Sequence, residues 1–268
     1  MPGRPSPRLI GALGLAALLS ACSTSPLGRN QLAFYSDDEL AQMGEQSFSQ
    51  YEQELPTVSG EQATYVQCVA NAITAEVPAS EGISSWEVKL FKDDTANAFA
   101  LPGGYIGVNT GLLDVATNQD QLAAVIGHEV GHVLAHHANE RVSTQAATQS
   151  GLSVLQTVAG LEGAGGEQLM GLLGAGAQYG VILPFSRKQE SEADLVGLDL
   201  MADAGFDPSA SLQLWQNMSA NSQGEPPAWM STHPSNAQRM EGLQDRLDEA
   251  QPRYEQAKAE GKRPNCKA

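Results

Sequence analysis

Four of the chain's five histidines fall within GHEVGHVLAHH, residues 127–137. Inside that stretch, His128-Glu129-Val130-Gly131-His132 sets two histidines four residues apart. On a helix they share one face about one turn apart, so both imidazoles reach a single zinc ion. Glu129 projects beside them, where its carboxylate can take a proton from water. Gly127 and Gly131 are small, weak helix formers that permit close backbone packing. They argue against a plain helix with incidental histidines. The chemistry indicated is metal-assisted hydrolysis, and it needs a third protein ligand.

A histidine six residues after the second, beyond a glycine turn, would supply that ligand. The position holds Ala138, with no glycine before it. His136 lies two turns from His128 on a straight helix, roughly 12 Å away by rise alone, too far for the same tetrahedron. His136 and His137 are therefore read as packing or hydrogen-bonding residues without metal. The ligand comes instead from Glu190-Ser191-Glu192-Ala193-Asp194. Glu190 and Asp194 share a helix face, so Glu190 can ligate zinc while Asp194 accepts a hydrogen bond from a ligating histidine. Glu192 points to the opposite side and is the weaker candidate. Taken alone, the pair would equally suit two solvated acids on a helix surface.

These residues need elements to hold them. Asp120–His137 reads as one helix with Leu122, Val125, Ile126, Val130, Val133 and Leu134 on its buried side. The run from Ser36 opens with serine and acids, as a capped helix does, and carries Leu40, Met43, Phe48 and Tyr51 at helical spacing. Glu61–Glu76 is a second helix, with Tyr65, Val66, Val69 and Ile73 on one face. The period then changes: 86–92 (WEVKLFK) alternates, and so does 104–109 (GYIGVN) after a Pro-Gly-Gly turn, marking strands. Residues 142–185 are rich in Gly and Ala, with apolar runs too broken to span a bilayer. They read as two helices over the active site, joined by a mobile Gly-rich turn. Helices follow at 188–204 and 209–220, then a loop, then a polar helix from about Ala237.

The N-terminus is a separate object. Arg4 and Arg8 precede the apolar run 9–20 and then LSAC, Leu19–Cys22. This order is similar to a bacterial lipoprotein signal, with residues 1–21 removed and Cys22 lipidated. An ordinary signal peptide with a chance cysteine is the alternative. Ser23, a residue other than Asp after the cysteine, favours the outer membrane by resemblance to Gram-negative lipoproteins. Residues 22–35 then act as lipidated N-terminus and polar tether, and 36–268 as the folded domain. Loss of Arg4 and Arg8 from 15 basic residues leaves 13 against 31 acidic, a net −18. Such a surface repels nucleic acid and anionic headgroups, so no nucleic-acid partner is expected. Cys68 and Cys266 remain as an even pair, a disulfide candidate in an oxidising periplasm. Two unrelated thiols are the alternative.

With these motifs in hand, the chain resembles the M48 zinc metallopeptidases, in particular their small periplasmic lipoprotein members. The matching stretches are NAFALPGGYIGVNTGLL (97–113), LAAVIGHEVGHVLAHH (122–137), SRKQESEADLVGL (186–198) and STHPSNAQRM (231–240). The resemblance implies His128, His132 and Glu190 as ligands of one zinc, Glu129 as general base and Asp194 behind them. It also implies His233 at the active site, steadying an oxyanion or capping the zinc at rest, where a lone loop histidine would otherwise be merely solvated. Arg239 then holds the His233 loop or binds a substrate carbonyl, a plain salt bridge being equally open. The segment from Asn97 resembles the family's edge strand, so Asn97 and Ala98 are substrate-binding candidates.

The expected fold is α+β, a predominantly helical Glu-zincin with a small sheet beside the HExxH helix. The expected function is a lipid-anchored periplasmic zinc endopeptidase degrading unfolded or misassembled envelope proteins. The alternative is a chaperone or assembly factor in contact with outer-membrane assembly machinery, its protease activity latent. A third idea makes the Gly-rich 160–176 segment a lid.

Overall fold

A computed structural model describes residues 22–158, 185–221, 228–233 and 237–267. In chain order its regular elements are β1 (Cys22–Thr24), β2 (Asn30–Leu32), α1 (Asp37–Glu54), β3 (Thr57–Val58), α2 (Glu61–Thr74), β4 (Glu87–Phe91), β5 (Ala98–Leu101) and β6 (Tyr105–Asn109). Then come α3 (Gln119–Leu134), α4 (His137–Val158), α5 (Arg187–Asp203), α6 (Ala210–Asn221), α7 (Ala228–Thr232) and α8 (Ala237–Ala259). The class is α+β and mostly helical, as expected. Contacts divide the chain into one unit of Met1–Ser36 with Asn139–Ile182 and another of Asp37–Ala138 with Leu183–Ala268.

In the first unit, residues expected to be a polar tether form a hairpin. β1 pairs antiparallel with β2, Cys22 opposite Leu32, and the Ser25 N–H donates to the Arg29 carbonyl at 2.9 Å. The Arg29 guanidinium holds both Glu140 oxygens, at 2.6 and 2.8 Å, the bidentate geometry that fixes orientation best. The Phe34 N–H donates to Ser143 Oγ at 2.8 Å, and Asn139 Nδ2 to the Tyr35 carbonyl at 2.7 Å. The main chain of Phe34 and Tyr35 is thus bonded by α4 side chains rather than left to solvent. The signal peptide, the Gly-rich 160–176 lid and the second helix expected before 185 lie outside the described residues.

The second unit carries the chemistry. Helix α1 begins with Asp37, Asp38 and Glu39, which complement the positive helix N-terminus, and buries Leu40, Gly44 and Phe48. Met43 and Tyr51, at the same helical spacing, are 39% and 37% exposed, Tyr51 stacking on Phe99 at 4.3 Å. Helix α2 buries Tyr65, Val66, Val69, Ala70 and Ile73, a stripe at helical spacing. The sheet runs β3-β4-β6-β5, with β4 and β6 parallel and the other pairs antiparallel. Its tight return, Pro102-Gly103-Gly104, needs φ of +91° and +95° at the two glycines, which side chains disfavour. That turn leaves β5 as an edge strand. Because the Asn109 N–H donates to the Asn97 carbonyl at 3.0 Å, ladder alternation turns the main-chain groups of Ala98 and Ala100 away from β6.

Helix α3 starts at Asn118, whose side chain accepts from the Gln121 N–H at 2.9 Å. Its buried face, including Leu122, Val125, Ile126 and Val130, joins the α2 stripe and the inner sheet residues Ile106 and Val108 in one core. The continuous helix expected to His137 does not form. Helix α3 ends at Leu134, and His136 takes φ +51°, a left-handed conformation that turns the chain before α4 begins. Cys68 and Cys266 are bridged, with Cα atoms 5.7 Å apart and a sequence separation of 198, the pairing that the cysteine count allowed.

Candidate metal centre

Two helices crossing at backbone contact build the centre. A Cβ on Gly127 would sit 2.8 Å from the Gly197 carbonyl oxygen, and one on Gly131 2.7 Å from that of Ala193. A Cβ on Gly197 would meet the His128 nitrogen at 2.6 Å. Only hydrogen fits at these three positions, so α3 and α5 approach closely enough for short side chains to meet. Helix α5 is registered by a capping box: Ser186 Oγ accepts from the Gln189 N–H, and Gln189 Oε1 accepts from the Ser186 N–H. That start turns Glu190 and Asp194, one turn apart, toward α3.

The four side chains His128, His132, Glu190 and His233 each offer one donor atom, all lying within 4.8 Å of one another and all buried. His128 Nε2 is 3.1 Å from His132 Nε2 and 3.5 Å from Glu190 Oε2. His132 Nε2 is 3.6 Å from Glu190 Oε1, and His233 Nδ1 is 3.1 Å from that oxygen and 3.2 Å from His128 Nε2. Zinc bonds of about 2.0–2.1 Å imply tetrahedral edges near 3.3 Å, and these separations bracket that value. The buried Glu190 Oε2 has the Arg239 guanidinium 2.7 Å away but off the hydrogen-bonding direction, so no aligned donor satisfies it. Three imidazoles and a carboxylate with one unspent oxygen fit a zinc-like ion.

The surroundings are specific. His128 Nδ1 lies 3.0 Å from Asp194 Oδ1, the pairing expected, though off the ideal hydrogen-bond axis. Burial disfavours a charged His128, but Asp194 and Glu190 outweigh it and raise the imidazole to about 9. Burial likewise pushes Asp194 up, and its bonds to Arg239 and His128 more than reverse this, leaving it below the usual carboxylate range. Of the roles left open for Arg239, the structure shows the salt bridge and the hold on the His233 loop. Its guanidinium is fully buried, donating to both Asp194 oxygens at 2.6 and 2.7 Å and to the His233 carbonyl at 3.3 Å. So enclosed, the guanidinium holds Asp194 and the His233 main chain in place.

Asn97 and Ala98 stand where the edge strand was expected. Ala98 is buried as a whole residue, 2% exposed, and Ala100 is half-buried. Several residues that matter were not singled out from sequence. Trp229 is buried, its indole N–H donates to Glu129 Oε1 at 2.7 Å, and its backbone N–H donates to the Ala96 carbonyl at 3.0 Å. It precedes His233 by four residues, and their rings stack 5.0 Å apart, so α7 presents both to the centre. That i, i+4 spacing in AWMSTH was the available signal. Phe185 stacks on His132 at 4.0 Å. Glu192, the weaker ligand candidate, is buried and bonds to His137.

The family model for peptidase family M48 matches residues 61–247. The chain belongs to peptidase family M48. This M48 chain is 39% identical over 187 residues to the mitochondrial metalloendopeptidase OMA1 of Schizosaccharomyces pombe, covering 68% of itself and 53% of that protein. It is 26% identical over 249 residues to the metalloprotease LoiP of Escherichia coli, covering 89% of itself and 96% of LoiP. It is 30% identical over 235 residues to the β-barrel assembly-enhancing protease of Yersinia pestis, covering 84% of itself and 47% of that protein. The M48 chain thus spans about half the length of most of these curated relatives and nearly all of LoiP.

Proposed function

We propose that the chain is a zinc-dependent endopeptidase of the bacterial cell envelope, hydrolysing peptide bonds in unfolded or misassembled proteins. The observation that carries this reading is Glu129 standing beside a buried His128–His132–Glu190 donor set on two helices in backbone contact. Held by those three residues, zinc supplies Lewis acidity and a water that ionises near neutral pH. Glu129 accepts the proton which that water gives up and passes it to the departing amine nitrogen. Trp229 fixes one Glu129 oxygen while this happens. The main-chain groups of Ala98 and Ala100, unspent on β6, are the place where an extended substrate would add as a further strand, and the unfolded state of a protein provides such a segment most readily. In a purified preparation, Glu129→Gln should lower cleavage of an unfolded protein by about 10²–10⁴-fold with zinc content unchanged. Full cleavage by that variant would sink the assignment.

His233 acts as a cap in this reading. Its Nδ1 stands among the donors where a fourth ligand belongs, and a catalytic zinc site keeps that position for water or substrate. His233→Ala should therefore raise the cleavage rate. A loss of tenfold or more would place His233 on the oxyanion instead. The capped arrangement also favours a second reading, an assembly factor with latent protease activity. The Yersinia relative's name supports that direction. Rescue of an envelope-stress phenotype by Glu129→Gln separates the two, since only a binding role survives that change. Lipidation at Cys22 and outer-membrane anchoring complete the proposal, and loss of palmitate labelling in Cys22→Ala tests them.

A further inference from the structure

Helix α5 carries three acids at alternate positions, and the reading above uses only two. Glu190 lies among the donors, and Asp194 faces His128 directly. Glu192 is two residues from each, about 200° around the helix, so it cannot reach a ligand itself. It is nevertheless buried, with 4% of its surface exposed, and its Oε2 lies 3.2 Å from His137 Nε2. His137 has no exposed surface, and its Nδ1 lies 2.8 Å from His132 Nδ1. The rings of His132 and His137 cross at 70° with centroids 4.9 Å apart. A continuous helix would swing residue 137 about 140° away from residue 132. The left-handed His136 breaks that helix and turns His137 back beneath the ligand.

We infer that Glu192 and His137 form a relay that sets the tautomer and orientation of His132, so that both are positioning residues for the metal; the inference rests on the metal-centre reading. The direction of every hydrogen bond in it is forced. His132 Nε2 faces the donor cluster, 3.1 Å from His128 Nε2, and must offer a lone pair to an ion. Its proton therefore sits on Nδ1 and is donated to His137 Nδ1. With that nitrogen accepting, the His137 proton sits on Nε2 and is donated to Glu192. His137 thus serves as a spacer that lets a carboxylate on the far side of α5 do for His132 what Asp194 does directly for His128. One helix supplies a ligand and orients both histidines.

The test compares zinc affinity, by chelator competition, in the purified protein and its variants. His137→Leu should weaken zinc binding by about 10–100-fold, the usual effect of losing a ligand's outer partner. His137→Gln, whose amide can accept from His132 and donate to Glu192, should recover most of that loss. Glu192→Gln should stay near wild type and Glu192→Ala should not. Equal affinity in wild type and His137→Leu overturns the relay alone, whereas a wild type that binds no zinc overturns the metal centre itself. Imidazole nitrogen NMR of zinc-loaded wild type decides the matter even where a variant fails to fold. A proton on His137 Nε2 is the expected result, and a proton on His137 Nδ1 overturns the relay.

Discussion

Individual side chains divide here by whether local spacing can reveal them. His128, His132 and Glu129 were legible because four-residue spacing on a helix is enough to place them on one ion. Glu190 and Asp194 share a face by the same spacing, but only the HExxH stretch and the family resemblance beside them set them apart from two solvated acids. For Arg239 the sequence left three roles open, and the structure shows two of them, a salt bridge to Asp194 on α5 and a bond to the His233 carbonyl, although nothing in STHPSNAQRM says which acid the guanidinium meets. Its burial has a testable cost. Arg239→Met would take the bidentate partner from the buried Asp194 carboxylate, and losing one partner of a buried pair costs about 3–5 kcal/mol. Urea unfolding should show a loss of that size. Arg239→Lys should recover little, because an ammonium cannot hold both Asp194 oxygens side by side.

At the scale of elements, the strands at 87–91 and 105–109 and the main helices followed from periodicity within a residue or two. The break between α3 and α4 did not. HVLAHHANE contains no Gly or Pro, so helix propensity runs straight through it. Tertiary contacts override that propensity, with His137 drawn into the interior against His132 and Glu192. Helix α7 was hidden for a related reason, being a single short turn in a loop-like composition whose order comes from Trp229 bonding Glu129 and Ala96. The α3–α5 crossing is the element-level feature most open to test. Gly197→Ala would push a methyl to 2.6 Å from the His128 backbone, and overpacking of this kind costs about 1–3 kcal/mol. Each kcal/mol should appear as about 2–4 °C in thermal unfolding. Zinc affinity should fall with it, because the helix that must move carries Glu190.

For the molecule as a whole, cysteine arithmetic offered the bridge as one of two alternatives, while the bonds from Glu140, Asn139 and Ser143 to residues 29–35 had no local signal. No composition shift marks Asn139, and the hairpin at 22–32 is ordered by Glu140, Asn139 and Ser143, more than a hundred residues downstream. The Cys68–Cys266 bridge ties α2 to the segment after α8 across 198 residues. Loop-closure entropy alone values such a bridge at about 5 kcal/mol, an upper figure within that model. Cys68→Ser with Cys266→Ser should therefore lower the denaturant midpoint in the absence of reductant. The doubly substituted protein should be indifferent to reductant, while the parent should lose stability when reductant is added.

The glycine crossing has a consequence for genetics. When two side chains clash, a smaller residue on either partner relieves the damage, so suppressors arise in pairs. At Gly127, Gly131 and Gly197 the opposing surface is main chain, and neither helix has anything left to remove. A mutation at one of them has no reciprocal cure on the other. Revertants selected for restored function should regain glycine itself or arise where α3 and α5 pack against the rest of the unit, never as compensating changes across the contact.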